Sequence, residues 1–379
     1  MTKPKLKIAI ATAGRFHVLY LARELAKLGH EVRFYSYVPR KRAVEFGLPA
    51  ACHVDLFPAL FPFAIWQTRF GQIAPQLCER LTWWALNKAV KATLKECDVF
   101  IFMSGIYLEA AQFARETYGA TLILERGSQH VLAQDEILAL NPDSERPTVL
   151  SIQRELAGYE MADRISIPSV TVESSFKRDP KAHAKLVKNP YGVDLEQFPL
   201  QPRTTPNKSV TFIYAGLWCA RKGCDLLVQA VRANPKVRLI HVGTLGDVPF
   251  PTGDPQFTHH DKVDQQALAG LYAKADAFVL ASREDGFGMV LSQALATGLP
   301  ILCTKNTGGA DLQLTPALTD RIIIVDANHA EALRVGLSSL SQRLLDGPAL
   351  APLSQEDLDA LGWDAYGRRY SQNLARLIE

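Results

Sequence analysis

With 379 residues, 47% hydrophobic and 21% charged, the chain has an ordinary globular composition and the length of about two domains. That balance excludes long disordered stretches. A formal charge of +3 is too small to argue for a nucleic-acid partner, and none is expected.

Six cysteines are scattered with no CxxC pair, which argues against a disulfide framework or a zinc site and for reduced thiols. The apolar run in MTKPKLKIAIATAGRF is too short for a secretory leader. No apolar run reaches the roughly 18 residues that span a bilayer. The expectation is a cytoplasmic protein, with any membrane contact peripheral and on the inner face.

In chain order, Lys7–Ala11 is a β-prone run followed by Thr12-Ala13-Gly14. Val18, Leu21, Ala22, Leu25 and Leu28 then recur at helical spacing, and Gly29 stops the helix. Glu31–Tyr35 reads as a second strand, and this βαβ opening predicts a parallel sheet. Further strands are predicted at Asp98–Met103, Thr121–Glu125 and Arg164–Pro168, with helices over Leu108–Tyr118 and Ser151–Met161. Phe198–Lys208 holds three prolines and no apolar period, which marks a linker. The rhythm then restarts, with strands predicted at Val210–Ala215, Arg238–Val242, Ala277–Ala281, Pro300–Thr304 and Arg321–Val325 and a helix over Leu226–Ala233. Two α/β halves of similar size imply a cleft at the carboxyl ends of their strands.

Three segments on that cleft carry chemistry. Gly14 sits between the first strand and its helix, where free backbone N–H groups suit an anion. Its surroundings do not spell GxGxxG, which removes the dinucleotide fingerprint. In the second half, Gly216 opens a turn that reaches Arg221 and Lys222, two cations suited to a diphosphate. Each of these two segments also reads as an ordinary turn. The third is the most informative. A strand leads into Ser282-Arg283-Glu284-Asp285-Gly286-Phe287-Gly288, and a helix begins at about Met289-Val290. Its glycines allow close backbone approach at a helix N-terminus. Met289 and Gln293 share one helix face. An acid beside an anion-binding turn suits a ligand with hydroxyls next to phosphates.

The third segment, with Gln293-Ala294, Gly298-Leu299-Pro300 and Gly308-Gly309, resembles the signature of glycosyltransferase family 4, whose members are retaining enzymes of the GT-B fold using nucleotide sugars. Ala162-Asp163, Gly192-Val193-Asp194, Arg221-Lys222-Gly223 and Ala275-Asp276 follow that family's order. The resemblance implies an acceptor-side domain over 1–199, a donor domain over 200–358, and a last helix within 359–379 that packs back on the first domain. It implies that Arg221 and Lys222 neutralise the donor diphosphate, that Gln293 meets the ribose, and that Asp285 and His130 face the donor sugar. Gly14, Gly216, Gly286, Phe287, Gly288, Met289 and Val290 complete the expected donor site, and His130, Asp285, Arg221 and Lys222 the expected catalytic set. The family carries Glu at both ends of its E-x7-E spacing, where this chain has Asp285 and Gln293. Asp is a methylene shorter, and Gln bonds without charge.

The expected activity is retaining transfer of a sugar from a nucleoside-diphosphate sugar to a glycan, lipid-linked or small-molecule acceptor, with no metal or other cofactor. An epimerase or phosphorylase on the same fold, or a non-catalytic binder of nucleotide sugars, stands as the alternative. Between Phe57 and Lys95, the apolar Phe57, Leu60, Phe61, Phe63, Trp66, Phe70, Trp83 and Trp84 are interspersed with the basic Arg69, Arg80, Lys88, Lys91 and Lys95. Such a stretch either packs on its own sheet or docks on an anionic bilayer.

Overall fold

The computed structural model describes residues 5–70, 73–140, 146–202 and 208–378. Part of the expected linker, 203–207, lies outside the described residues. The first sheet contains β1 (Lys7–Ala11), β2 (Glu31–Ser36), β3 (His53–Asp55), β4 (Val99–Met103), β5 (Thr121–Glu125), β6 (Arg164–Ile167) and β7 (Leu186–Lys188), in the order β3-β2-β1-β4-β5-β6-β7. The second contains β8 (Val210–Ala215), β9 (Val237–Val242), β10 (Phe257–His260), β11 (Ala277–Leu280), β12 (Ile301–Thr304) and β13 (Ile322–Val325), in the order β10-β9-β8-β11-β12-β13.

Every pairing between these strands is parallel, with Ile8 opposite both Val32 and Val99. Parallel strands need helical crossovers, which cover both faces of the sheet and favour apolar runs over alternation. Ile8–Ala11, Val99–Phe102 and Ala277–Leu280 are such runs, buried from end to end. Three strands are absent from the sequence expectation: β3, β7 and β10. Each is three or four residues long, and all three are sheet edges. A short strand with polar positions, as in His53–Asp55 or Leu186–Lys188, offers no apolar run to read.

The strand order reverses beside β1 in one sheet and β8 in the other, which opens a crevice at the strands' carboxyl ends. The loops after β1, β5, β8 and β11 therefore converge where the domains meet. They do meet: Ser169 Oγ donates to Gly286 O at 2.6 Å, and Val170 N–H donates to the Asp311 carboxylate at 3.0 and 3.1 Å. Lys188 Nζ lies 3.1 Å from the same carboxylate. Asp311 is buried, which raises its pKa against the pull of Lys188 and the Val170 N–H.

The helix Trp363–Ile378 crosses back to the first domain. Trp363 stacks on Tyr20 at 4.6 Å, the amide of Asn189 donates to Tyr366 O at 3.2 Å, and Arg369 donates to Asn189 Oδ1 at 2.9 Å. Gly192 makes this passage possible. A Cβ there would lie 2.6 Å from Trp363 Cα, so a larger residue would push the helix start away.

Candidate functional site

The helix Met289–Ala296 starts at Gly288, which has φ 76° and provides no side-chain cap. Its first-turn N–H groups therefore lack the side-chain acceptor that usually satisfies them, and the helix dipole adds positive potential there. Gly286 lies against the first domain so closely that a Cβ would overlap the carbonyl oxygen of Gly127. Phe287 is buried beneath this turn, with its ring edge-on to Tyr191 at 5.3 Å. Its carbonyl accepts the Gly308 N–H at 2.7 Å, so the glycine pair after β12 braces the turn.

Ahead of the helix, three consecutive charges meet three partners from the β8 side. Arg283 forms a two-pronged pair with Asp225 at 2.5 and 2.7 Å. Arg221 Nη1 lies 3.0 Å from Glu284 Oε2, and Lys222 Nζ lies 2.5 Å from Asp285 Oδ2. Burial works against the charge on Arg221, and Glu284 outweighs it, leaving its pKa raised. The turn is tight because Gly223 adopts φ 69° against Ala281, where a Cβ would overlap the Ala281 carbonyl. The expected phosphate cations and the expected sugar-facing Asp285 thus stand together. Arg283 and Glu284, which the sequence reading left without roles, hold them.

Arg15, Phe16, His17, Tyr20, Asp194, Gln265, Met289, Gln293 and Trp363 line a cavity of about 400 Å³ between the domains. Gln293 and Met289 reach it from one helix face, as their spacing implied. Tyr272 O–H lies 3.5 Å from Gln293 Oε1. Val290, the next helical residue, is half-buried. On the opposite wall, Phe16 is 55% exposed and sits at φ 35°, strained backbone for a bulky residue. Gly14 precedes it, and the Thr12 hydroxyl engages Gly14 O at 2.9 Å and Gly14 N at 3.3 Å. Gly216 adopts φ 151° at the end of β8, and its carbonyl lies 2.9 Å from His241 Nε2.

His130 stands elsewhere. Its imidazole is buried between Tyr159 and Phe176, and Nδ1 caps the helix Val131–Ala139 by accepting the Leu132 N–H at 3.3 Å. Burial lowers its pKa to about 4. It does not line the cavity that Gln293 and Met289 share. The imidazole on that wall is His17, whose Nε2 lies 2.8 Å from Glu125 Oε2. Neither residue was singled out in the sequence, because 108 positions separate them.

Residues 209–342 match the family model described as glycosyl transferases group 1. The chain is 34% identical over 125 residues to the GDP-mannose:cellobiosyl-diphosphopolyprenol alpha-mannosyltransferase of Xanthomonas oryzae pv. oryzae, a match covering 29% of this chain and only 32% of that relative. It is 25% identical to D-inositol 3-phosphate glycosyltransferase 2 of Catenulispora acidiphila, over 96% of this chain and 90% of the relative. Sucrose-phosphate synthase from Thermosynechococcus elongatus superposes with a TM-score of 0.67 at 18% identity, covering 98% of both chains. Anabaena HepE, solved with UDP and glucose, superposes with a TM-score of 0.66 at 12% identity, covering 98% of this chain and 99% of that one. Similarity at this level carries the fold. The second domain thus resembles the glycosyl transferases group 1 family over residues 209–342, and the chain as a whole has the two-domain GT-B fold.

Proposed function

We propose that the protein transfers a sugar from a nucleoside-diphosphate sugar to a hydroxyl of a glycan, lipid-linked or small-molecule acceptor, with retention and without a catalytic metal. The observation that carries this reading is the convergence of Arg221, Lys222 and Asp285 ahead of the uncapped start of the helix Met289–Ala296. The bond from the anomeric carbon to the diphosphate breaks, and its electron pair leaves with the phosphate. Arg221, Lys222 and the helix N–H groups stabilise that charge as it develops. The incoming phosphate takes over Lys222, which releases Asp285 to the sugar's hydroxyls. Gln293 accepts or donates a hydrogen bond at the ribose. The acceptor oxygen attacks from the leaving-group side, and its proton passes to the departing phosphate oxygen. Contact between the domains keeps water from competing.

The test is titration with UDP-, GDP- and ADP-sugars, with release of free nucleoside diphosphate as the readout of turnover. Lys222→Ala is expected to weaken donor binding by about tenfold or more, the loss of a charge-assisted contact of about 1.5–3 kcal/mol. Unchanged donor affinity in this variant would overturn the reading.

The acceptor side supports a lipid-linked substrate. A cavity of about 770 Å³ on the first domain is lined by Arg80, Trp83, Trp84, Lys88, Lys91 and Arg154, among others. Lys88 lies over the Trp84 ring at 4.9 Å, and Trp84 is 60% exposed. Ile73, Leu77, Leu140 and Val149 are exposed as well. Among the described residues no helix is long and apolar enough to cross a membrane. The proposed membrane contact is peripheral, made by this aromatic and basic face on the cytoplasmic side.

A further inference from the structure

His17 occupies an arrangement that the function above leaves unused. It follows the strained Phe16 at the start of the helix Phe16–Lys27, on the cavity wall facing Gln293 and Met289. Two contacts fix its ring, and a third bond holds the carboxylate behind it. Nε2 is 2.8 Å from Glu125 Oε2. The face stacks on Tyr191 at 4.2 Å, with 26° between planes. The Glu125 carboxylate is itself held, since the Tyr370 hydroxyl donates to its second oxygen at 2.6 Å. Burial, with Glu125 next, raises the Tyr370 pKa well above its ordinary value, so this hydroxyl keeps its proton and donates. Glu125 is 1% exposed and His17 6% exposed, so water does not compete for this chain of bonds.

The consequence concerns the other ring nitrogen. In the neutral ring, a carboxylate that accepts from Nε2–H selects the tautomer whose lone pair is on Nδ1. Nδ1 has no hydrogen-bond partner among the described residues, yet it is not among the polar atoms sealed from solvent. A positioned acceptor in a cleft asks for a hydrogen-bond donor, and the hydroxyl is the donor that sugars supply. We propose that His17 is a substrate-contacting residue whose Nδ1 accepts a hydrogen bond from a sugar hydroxyl. Glu125 and Tyr370 act as positioning residues behind it. The proposal rests on the sugar-transfer reading and adds the first domain's own contact to the sugar. No proton is transferred to His17 in this step, because the departing phosphate takes it. The hydroxyl belongs either to the donor's sugars or to the acceptor.

The experiment compares wild type, His17→Ala, His17→Gln, Glu125→Gln and Lys222→Ala. Titrations use UDP-glucose, GDP-mannose, ADP-glucose, UDP, GDP and ADP. Turnover is read as nucleoside diphosphate released, with and without added acceptor sugars. The ¹⁵N resonances of the histidine rings are recorded as donor is added. If the hydroxyl is the donor's, His17→Ala weakens sugar-nucleotide binding by about fivefold to fiftyfold, the span of one hydrogen bond left unmade. If it is the acceptor's, donor affinity is kept and acceptor-dependent turnover falls by the same factor. Either result supports the proposal, provided that the Nδ1 resonance of His17 shifts when substrate is added. Glu125→Gln is expected to reproduce part of the loss and to change the ring tautomer, which a merely structural role would not move. His17→Gln keeps a side chain of similar size, which controls for lost packing against Tyr191. The proposal is overturned if donor affinity and turnover in His17→Gln and His17→Ala stay within about twofold of wild type while Lys222→Ala loses binding. If wild type binds none of these nucleotides, the sugar-transfer reading itself fails, and this inference fails with it.

Discussion

Gly286 is a residue whose side chain matters by its absence. The first domain's Gly127 carbonyl occupies the space a Cβ would need, and the Ser169 hydroxyl is bonded to the Gly286 carbonyl. Any larger residue must part the domains at the turn that carries Asp285. Gly286→Ala is therefore expected to lower sugar transfer by up to about a hundredfold, since a displacement near 1 Å at reacting groups costs that much. Each sheet is left intact, so the melting temperature is expected to fall only slightly. Transfer assays alongside calorimetry check both parts. The EGFG-like spelling pointed to this glycine, but only the fold shows that its constraint comes from the other domain. The same holds for Asp285, whose residue type was legible and whose pairing with Lys222 was not.

At the scale of elements, the helix Val131–Ala139 accounts for His130. The imidazole serves as an N-cap within an aromatic pocket, and that burial sets its titration. Its value falls from 6.5 to about 4, as does that of the buried His241. Between pH 6.5 and pH 4 the unfolded chain binds these protons and the folded one does not, so stability falls as pH falls across that window. It is not affected above it. Acidification through this window costs about 3 kcal/mol at His130, the free-energy equivalent of its fall from 6.5 to about 4. His130→Asn keeps a capping side chain and removes the titration. Melting temperatures measured from pH 7 to pH 4 are expected to decline less steeply in this variant than in wild type. A slope equal to wild type would show that His130 does not titrate as its burial implies. The helices and inner strands were legible because their apolar spacing is local. The edge strands β3, β7 and β10 were not, because a few residues with one neighbouring strand need no apolar run.

At the scale of the whole molecule, the exposed aromatic and basic face lies on the first domain, apart from the loops that carry Arg221, Lys222 and Asp285. Aromatic rings at a bilayer interface and cations near anionic head groups act together. Wild-type protein is expected to co-sediment with phosphatidylglycerol vesicles at low salt, and less so at high salt. Trp84→Glu should abolish this, and Lys88→Ala should weaken it by about 1 kcal/mol. Vesicle binding that is unchanged in Trp84→Glu would assign the contact to another surface.

The sequence by itself determined the two α/β halves, the cleft between them and the glycine-rich, charged turn ahead of Met289. Those properties depend on apolar period, glycine placement and charge type within a short window of chain. The tertiary structure decided the rest. It set Arg283 against Asp225 and Arg221 against Glu284, buried His130 in the first domain, and brought Tyr370, Glu125 and His17 into one chain of bonds ending at the cleft. These contacts join residues as many as 245 positions apart, and their distance is fixed by the packing of sheets and the returning last helix. No local pattern encodes such a distance, because a side chain's partner and burial are properties of the packed chain.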